Sequence, residues 1–310
     1  MKTDTHNSPA TQTYLDLLLS ETPPPPASVR LDLTGPATNR DARHLGEREV
    51  KMRWDFFVRI SRQLVALGVN ELVLANLGDA FKCPWLNEAI SFAKQYFRFP
   101  HVVLRADILS SSVEQLEEAV EAGIDGLIFN FNLSCAEWRE RADACLVTDP
   151  QYFMHKLERV MATRELVFAR RAGRCHIYVA QLGRRTHLSD RLQQAIAQLV
   201  EVADHEYFEW LPEKQDLLGV ERAVAVPARD GKCHCWTPFT EAHVTADGFL
   251  TACRHDYIGS STVADLNQVT FGEAWHSKTF QHTRTGVLLG KLEGTLCACC
   301  PIRSGYRQDA

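Results

Sequence analysis

The stretch AHVTADGFLTAC, residues 242–253, alternates between apolar and polar side chains on either side of Asp247-Gly248. Asp-Gly between two alternating runs is a strong β-hairpin signal, because both residues tolerate the positive φ angles of a tight turn. A hairpin here brings Cys235, which precedes its first strand, close to Cys253 at the end of its second strand. The stretch therefore predicts a small β unit that gathers two thiols.

The end of the chain supplies further thiols. LEGTLCACCPIR, residues 292–303, places Cys297, Cys299 and Cys300 within four positions. A C-x-x-C pair puts two thiolates on one short turn, which suits a metal ion or a cluster. Added to the hairpin thiols it completes a four-thiolate set. Four thiolates hold either a tetrahedral zinc ion or an iron–sulfur cluster, and ligand softness does not separate the two.

The composition excludes several classes of protein. With 310 residues and a net charge of −5, the chain lacks the clustered Lys and Arg of a nucleic-acid footprint. Asp16 interrupts the apolar core of the N-terminal segment, so we expect no signal peptide, and no run approaches the roughly 18 apolar residues of a membrane span. We expect a cytoplasmic protein with no nucleic-acid and no membrane partner. In that reducing compartment, ten cysteines point to metal or cluster binding more than to disulfides.

Upstream of the cysteine-rich block, predicted strands alternate with predicted helices. Such alternation implies right-handed βαβ crossovers and a parallel sheet, in an α/β fold. The predicted strands are 29–34, 71–76, 101–106, 125–131, 175–181 and 205–210, and the helices between them are 53–68, 84–97, 111–123, 150–173 and 188–204.

The pattern divides the chain into four parts. Residues 1–28 are predicted to form a flexible leader, with a stiff spacer at Pro23–Pro26. The β/α units occupy 29–212. A linker at 213–230 leads to the cysteine-rich block, residues 231–310, where helical periodicity fades.

The C-terminal block resembles a known domain. The run from Cys235 through the hairpin to Cys253, then ADLNQVTFGEAWHSKTFQHTR (264–284) and a terminal C-x-x-C, is similar to the SPASM (or twitch) domain of radical S-adenosylmethionine enzymes. The resemblance extends over about residues 29–303. It implies a partial (βα)6 TIM-like barrel followed by a small cysteine-rich SPASM-like α+β domain.

The resemblance also implies a cofactor and its ligands. It predicts one auxiliary [4Fe–4S] cluster in the C-terminal domain, held by Cys235, Cys253, Cys297 and Cys300. Either Cys233 or Cys299 is an alternative ligand, because the C-x-C and C-C spacings leave the assignment ambiguous.

The barrel departs from the family at three places. The radical-SAM motif C-x-x-x-C-x-x-C is missing, and its positions in LDLTGPATNRDARHLGE (31–47) hold Ala37, Asp41 and His44. Gly-Gly-Glu-Pro is replaced by LGDA (77–80), and Thr-Asn-Gly by RAD (105–107). Three separate departures indicate that the radical-generating chemistry has been lost.

Polar residues still mark a weaker candidate site in the barrel. A D-x-x-H pair can bind a divalent metal, although a solvated loop dense in charge of both signs is the simpler explanation. Others lie near the carboxyl ends of strands, which face the binding site of a β/α barrel. These candidates are Asp41, His44, Asp79, Arg105 and Asp107.

Three hypotheses about function follow. The first is a diverged radical SAM/SPASM-like protein with one auxiliary cluster, acting in binding, electron relay or peptide and natural-product modification. The second is an active enzyme that binds S-adenosylmethionine or another cofactor through non-cysteine ligands in the barrel. The third is a structural or interaction protein that binds zinc. The complete SPASM-like arrangement favours iron–sulfur over zinc, and the sequence does not identify the peptide, protein or small-molecule substrate.

Overall fold

The computed structural model describes residues 20, 23–36, 49–76, 78–106, 111–132, 150–171, 175–182, 205–209, 235, 237–254, 256, 259–295 and 297. Within these residues nine strands form one sheet, in the order β11-β10-β9-β1-β4-β5-β6-β7-β8. The short strands β2 and β3 form a separate antiparallel pair. The strands are β1 Ser28–Leu31, β2 Thr34–Pro36, β3 Glu49–Lys51, β4 Glu71–Leu74, β5 His101–Ala106, β6 Gly126–Asn132, β7 His176–Leu182, β8 His205–Glu209, β9 Glu241–Val244, β10 Phe249–Thr251 and β11 Thr262–Asp265.

The predicted β/α alternation is confirmed. The strands β1, β4, β5, β6, β7 and β8 pair in parallel and in chain order, as a partial TIM-like barrel requires. The predicted helix at 188–204 lies outside the described residues. The helices are α1 Trp54–Ala66, α2 Leu86–Ser91 (continued by a π-helical turn, Phe92–Tyr96), α3 Val113–Ala122, α4 Pro150–Arg171, α5 Thr237–Thr240, α6 Phe271–Trp275 and α7 Lys278–Leu289, with a 3-10 turn at Ala80–Lys82.

The helices begin and end where local chemistry dictates. In α1 the spacing of Phe57, Ile60 and Leu64 puts all three side chains on the buried face. Gly68 follows with φ 82°, a left-handed conformation that terminates the helix. Ser112 caps α3 through a capping box with Gln115.

The cysteine-rich hairpin continues the barrel sheet. Its strands β9 and β10 are antiparallel around Asp247-Gly248, as predicted, and Gly248 has φ 94°. Strand β9 also pairs in parallel with β1, which puts Arg30 opposite His243. The hairpin therefore shares both backbone hydrogen bonds and a hydrophobic core with the barrel.

The two faces of the sheet differ in composition. The face covered by helices carries the main core, which includes Leu31, Leu74 and Leu104 from three neighbouring strands. The concave face has a smaller apolar floor, formed by Val73, Val103 and Ile128 with Tyr178 packed against them.

The proline spacer is seated on the C-terminal unit. The indole N–H of Trp275 donates to the Pro24 carbonyl at 2.9 Å, and His276 Nε2 lies 3.0 Å from the Pro23 carbonyl. The N–H of Ala27 donates to the Thr240 carbonyl at 2.8 Å. Residues 23–27 belong to the segment that the sequence predicts to be a flexible leader. They pack against the C-terminal unit because the carbonyls of a stiff proline run need hydrogen-bond donors. In the described part of the chain no helix is long and apolar enough to cross a membrane.

Candidate functional site: the thiols and the concave face of the barrel

Two of the predicted ligand thiols lie beside one small apolar cluster. Cys235 and Cys297 both pack against the cluster of Phe239, Val287 and Leu292, and both are partly exposed. Cys235 precedes α5, and Cys297 follows the end of α7, so the cluster joins segments that are far apart in the sequence. The fold thus brings the start and the end of the cysteine motif together.

The third thiol, Cys253, follows β10 in a well-anchored loop. Its carbonyl accepts hydrogen bonds from the Thr251 hydroxyl at 3.2 Å and from the Asp256 N–H at 3.2 Å. Asp256 is buried, and its carboxylate accepts hydrogen bonds from the N–H groups of Ser260 and Ser261. This loop is fixed by internal hydrogen bonds, which is what a rigid ligand position needs.

Arg284 holds the segment after Cys235 in place. Its side chain is 2% exposed and lies between the rings of Trp275 and Phe280, at 4.1 and 4.0 Å from their centroids. It donates to the carbonyls of Pro238 and Trp275 at 2.8 and 2.9 Å, so it links α7 to α5. Burial lowers the pKa of the guanidinium to about 10, and it stays charged at neutral pH.

The remaining candidate ligands, Cys233, Cys299 and Cys300, lie outside the described residues. Where side chains are described, no group of three or more His, Cys, Asp or Glu residues is arranged to hold a metal ion. The described thiols nevertheless suit a cluster chemically, because thiolates are the ligands of iron–sulfur clusters and all three are partly exposed.

A buried chain of hydrogen bonds connects the barrel to the hairpin. Asp32 and His243 are each 1% exposed, and His243 Nε2 lies 2.7 Å from Asp32 Oδ2. His243 Nδ1 lies 2.9 Å from Thr251 Oγ1, whose hydroxyl donates to the Cys253 carbonyl. The other oxygen of Asp32 accepts from the N–H of Asn76 at 2.6 Å. These hydrogen bonds extend from Asp32, just after β1, to the carbonyl of Cys253, whose thiol is a candidate ligand.

Two buried arginines meet on the concave face of the barrel. Arg30 and Arg105 are 6% and 4% exposed, and each donates to Asn76 Oδ1, at 3.5 and 3.4 Å. Asn76 in turn donates to the Arg254 carbonyl at 2.7 Å. Glu241 accepts two hydrogen bonds from Arg254, at 3.1 and 2.9 Å, and lies 3.5 Å from Arg30 Nε.

The weaker barrel candidates have different fates. Asp41, His44 and Asp107 lie outside the described residues. The Asp79 carboxylate caps the 3-10 turn by accepting from the Phe81 N–H at 3.0 Å, which is a structural role. Arg105 does face the concave interior, where the structure adds a partner that the sequence analysis missed, Arg30. The alternation of Arg30, Asp32 and Thr34 in VRLDLT was the available signal.

Two further cysteines of the described residues, Cys83 and Cys175, are core residues. Cys83 is buried, and burial raises the pKa of its thiol to about 11, so it remains protonated and unreactive at neutral pH. Cys175 is also buried. Cys83 and Cys175 belong to the main core, whereas Cys235 and Cys297 pack against the smaller cluster of Phe239, Val287 and Leu292.

Comparison with known proteins agrees with this architecture. Residues 233–301 match the SPASM family model, described as an iron-sulfur cluster-binding domain. No curated protein sequence matches the chain.

Solved radical SAM structures share the fold. Similar structures include SuiB from Streptococcus suis bound to precursor peptide SuiA (TM-score 0.57, 9% identity, covering 91% of this chain and 73% of that one). They also include anSMEcpe with bound AdoMet (0.53, 11%, 91% and 85%) and BtrN in complex with AdoMet and 2-DOIA (0.50, 13%, 86% and 88%). The chain therefore combines a SPASM domain with the partial TIM-like barrel of these enzymes, which confirms the predicted fold class and resemblance.

Proposed function

We propose that this chain, which carries a SPASM domain on a radical-SAM-type barrel, is an iron–sulfur protein that holds one auxiliary [4Fe–4S] cluster. The ligands are Cys235, Cys253, Cys297 and Cys300. The observation that carries the proposal is the convergence of Cys235 and Cys297 on one apolar cluster, inside the segment that matches the SPASM model.

Such a cluster supplies one-electron redox chemistry, tuned by the hydrogen bonds and burial around its thiolates. The protein's part is to position those thiolates. Arg284 fixes the segment after Cys235, and the hydrogen bonds to the Cys253 carbonyl fix the second ligand. The apolar side chains Phe239, Val287 and Leu292 limit the access of water to this end.

The barrel has a different role in this proposal. Without the C-x-x-x-C-x-x-C motif it lacks the three thiolates that make S-adenosylmethionine cleavage possible in the family. The protein therefore acts by binding or by electron relay, as part of the modification of a peptide or a small molecule. We place this activity in the cytoplasm. The peptide that accompanies the similar structure of SuiB supports this class of partner.

The test is iron and acid-labile sulfide per chain after anaerobic purification and reconstitution. We expect about four of each, the content of a single cubane. Cys253→Ala should lose the iron, whereas the matched control Cys83→Ala, which changes a buried core thiol, should keep it. Stoichiometric zinc without sulfide, or full iron in Cys253→Ala, would overturn the proposal.

A second candidate is an active enzyme with non-cysteine ligands in the barrel. It is favoured by the AdoMet bound to the similar structures of anSMEcpe and BtrN. About eight irons and sulfides per chain would support it. So would a rise in melting temperature with S-adenosylmethionine, because a ligand at one hundred times its Kd stabilises by about 2.7 kcal/mol.

A further inference from the structure

We propose that a shallow groove on the outer surface of the barrel, between α1 and α2, is a docking site for an arginine side chain of a polypeptide partner. The groove has a volume of about 480 Å³ and is lined by Trp54, Glu88, Ser91, Phe92, Gln95 and Tyr96. It lies on the helices and not on the concave face of the sheet, so the inference does not depend on the cluster.

The walls of the groove are aromatic rings that the fold leaves in contact with water. Trp54 is 37% exposed and Tyr96 is 63% exposed. In the π-helical turn the Phe97 N–H donates to the Phe92 carbonyl, five residues back, at 3.0 Å. This wider turn stacks the rings of Phe92 and Tyr96, with their centroids 4.6 Å apart. Such turns are rare and occur frequently at functional sites, and exposed Trp and Tyr residues are typical of interaction surfaces.

The orientation of these rings is fixed by their neighbours. Trp54 lies edge-on to Phe92, with centroids 5.4 Å apart, and edge-on to Trp85, at 5.2 Å. The ring of Phe57 also contacts Trp54, at 5.5 Å. Rings that are already held in place lose little conformational freedom when a partner binds. Each aromatic face carries the negative part of the ring quadrupole, so it attracts a cation.

The charge of the groove also favours a cation. Among the described residues, Glu88 is the one charged side chain that lines it. Glu88 is exposed, and within the described part of the chain its carboxylate makes no hydrogen bond and no ion pair. The polar side chains of Ser91 and Gln95 are uncharged, and the Ser91 hydroxyl already donates to the Ala122 carbonyl at 3.4 Å. The lining therefore carries one negative charge.

The neighbouring cations do not neutralise Glu88. Arg53 pairs with Asp55 at 2.5 Å, and the Lys94 ammonium lies 2.8 Å from the Asp125 carboxylate. The other cations on or beside α1 and α2 are exposed and do not line the groove: Lys51, Arg59, Arg62, Lys82 and Arg98. An uncompensated carboxylate thus lies beside three aromatic rings.

This combination of groups matches the guanidinium of arginine. A guanidinium is planar, so it stacks on an aromatic face, and its fork of N–H donors matches a carboxylate. The rings and the Glu88 carboxylate line the same groove, so one guanidinium can use both. An acidic side chain would be repelled by Glu88, and an aliphatic side chain would leave the carboxylate unpaired.

The test titrates the reconstituted protein with two trifluoroacetylated peptides, Gly-Leu-Arg-Leu-Gly and its analogue with citrulline in place of arginine, followed by fluorine-19 NMR. Citrulline has the shape of arginine but no charge, so the difference between the two peptides isolates the charge. We expect the arginine peptide to have a Kd lower by roughly fivefold, because exposed cation–π contacts and exposed ion pairs each change affinity by a few-fold. Equal Kd values for the two peptides would overturn the proposal, and so would the absence of binding at millimolar concentration.

Three variants locate the site. Glu88→Gln keeps the size of the side chain and removes its charge, so the preference for the arginine peptide should fall to about twofold or less. Tyr96→Ala removes one stacked ring and should weaken binding of the arginine peptide by about threefold. The control Glu118→Gln removes an exposed carboxylate of α3 that bonds to Asn87 and does not line the groove, and it should keep the wild-type preference.

The outcomes of these titrations separate the groove from a general effect of acidic charge. A wild-type preference in Glu88→Gln, or an equal loss of preference in Glu118→Gln, would overturn the assignment. Glu88 and Tyr96 are both exposed, so their substitution leaves the core intact, and the comparison of the two peptides on the wild type requires no variant. Iron content is measured on the same samples, so failure here is distinguishable from failure of the cluster proposal.

Discussion

The thiol end of the hairpin and the concave face of the barrel both include residues of β9 or of the segment that follows β10. They are nevertheless constructed differently. At the thiol end the chemistry comes from cysteines at recognisable spacings. On the concave face it comes from single residues on different strands, such as Arg30 and Arg105, that only the sheet brings together. The comparison teaches that residues gathered by a spacing motif can be located from the sequence, whereas residues gathered by strand pairing cannot.

The largest expected effect comes from the joint between the two regions. In His243→Ala, Asp32 Oδ2 loses the 2.7 Å contact with the imidazole while Oδ1 keeps the hydrogen bond from the Asn76 N–H, and loss of a buried hydrogen-bond partner of a carboxylate costs about 3 kcal/mol or more. We expect that loss in the free energy of unfolding, measured with urea. Because the same histidine holds Thr251, whose hydroxyl donates to the Cys253 carbonyl, iron retention should decline as well.

The control for this joint is His282→Ala, which changes an exposed histidine on α7. It should alter the free energy of unfolding by less than about 0.5 kcal/mol. A His243→Ala protein as stable as this control would show that the two regions are independent.

Next in size is the loss of the anchor behind Cys235. Arg284→Ala removes the donor to two buried carbonyls and leaves a cavity between Trp275 and Phe280, at a cost of about 3 kcal/mol. Iron per chain should fall in the protein that remains folded. Full iron content in folded Arg284→Ala would show that Arg284 does not position Cys235.

A glycine substitution tests the barrel edge alone. A Cβ on Gly78 would lie 1.7 Å from the Thr34 carbonyl oxygen, so in Gly78→Ala the backbone must shift, at a cost of about 1–3 kcal/mol. We expect a lower melting temperature with unchanged iron content, measured by thermal unfolding and metal analysis.

Gly272 provides the matched comparison. It lies in α6, and an added Cβ there meets nothing closer than 3.9 Å. Gly272→Ala should therefore raise the free energy of unfolding by about 0.5–1 kcal/mol, because alanine restricts the unfolded chain and favours the helix. Destabilisation by both substitutions to the same extent would contradict the steric explanation.

The smallest effect is a pH dependence at the start of α6. Hydrogen bonds from the N–H and hydroxyl of Thr270 hold the pKa of the Glu273 carboxyl below its usual value. A lowered folded-state pKa contributes stability above the ordinary pKa, and that contribution is lost as the pH falls through the folded-state value. Glu273→Gln should therefore show a shallower loss of stability between neutral and acidic pH, measured by urea unfolding at several pH values. An identical dependence of stability on pH in Glu273→Gln and in the wild type would exclude this contribution of Glu273.

The sequence by itself determined the elements and the thiol motif. Periodicities of 2 and 3.6 residues located the six parallel strands and four of the helices between them, because burial of one face imposes these periods locally. Asp247-Gly248 predicted the hairpin, and the cysteine spacings predicted a four-thiolate set in the C-terminal block. Each of these signals is contained in a few consecutive residues.

The tertiary structure alone decided how distant residues combine. The pairing of β9 with β1, the contact of Asp32 with His243 and the meeting of Arg30 with Arg105 join positions far apart in the chain. Local composition does not record which strands become neighbours, because that choice depends on the burial of the whole sheet. In VRLDLT the arginine and aspartate read as ordinary polar residues, and only the parallel register places them inside the barrel.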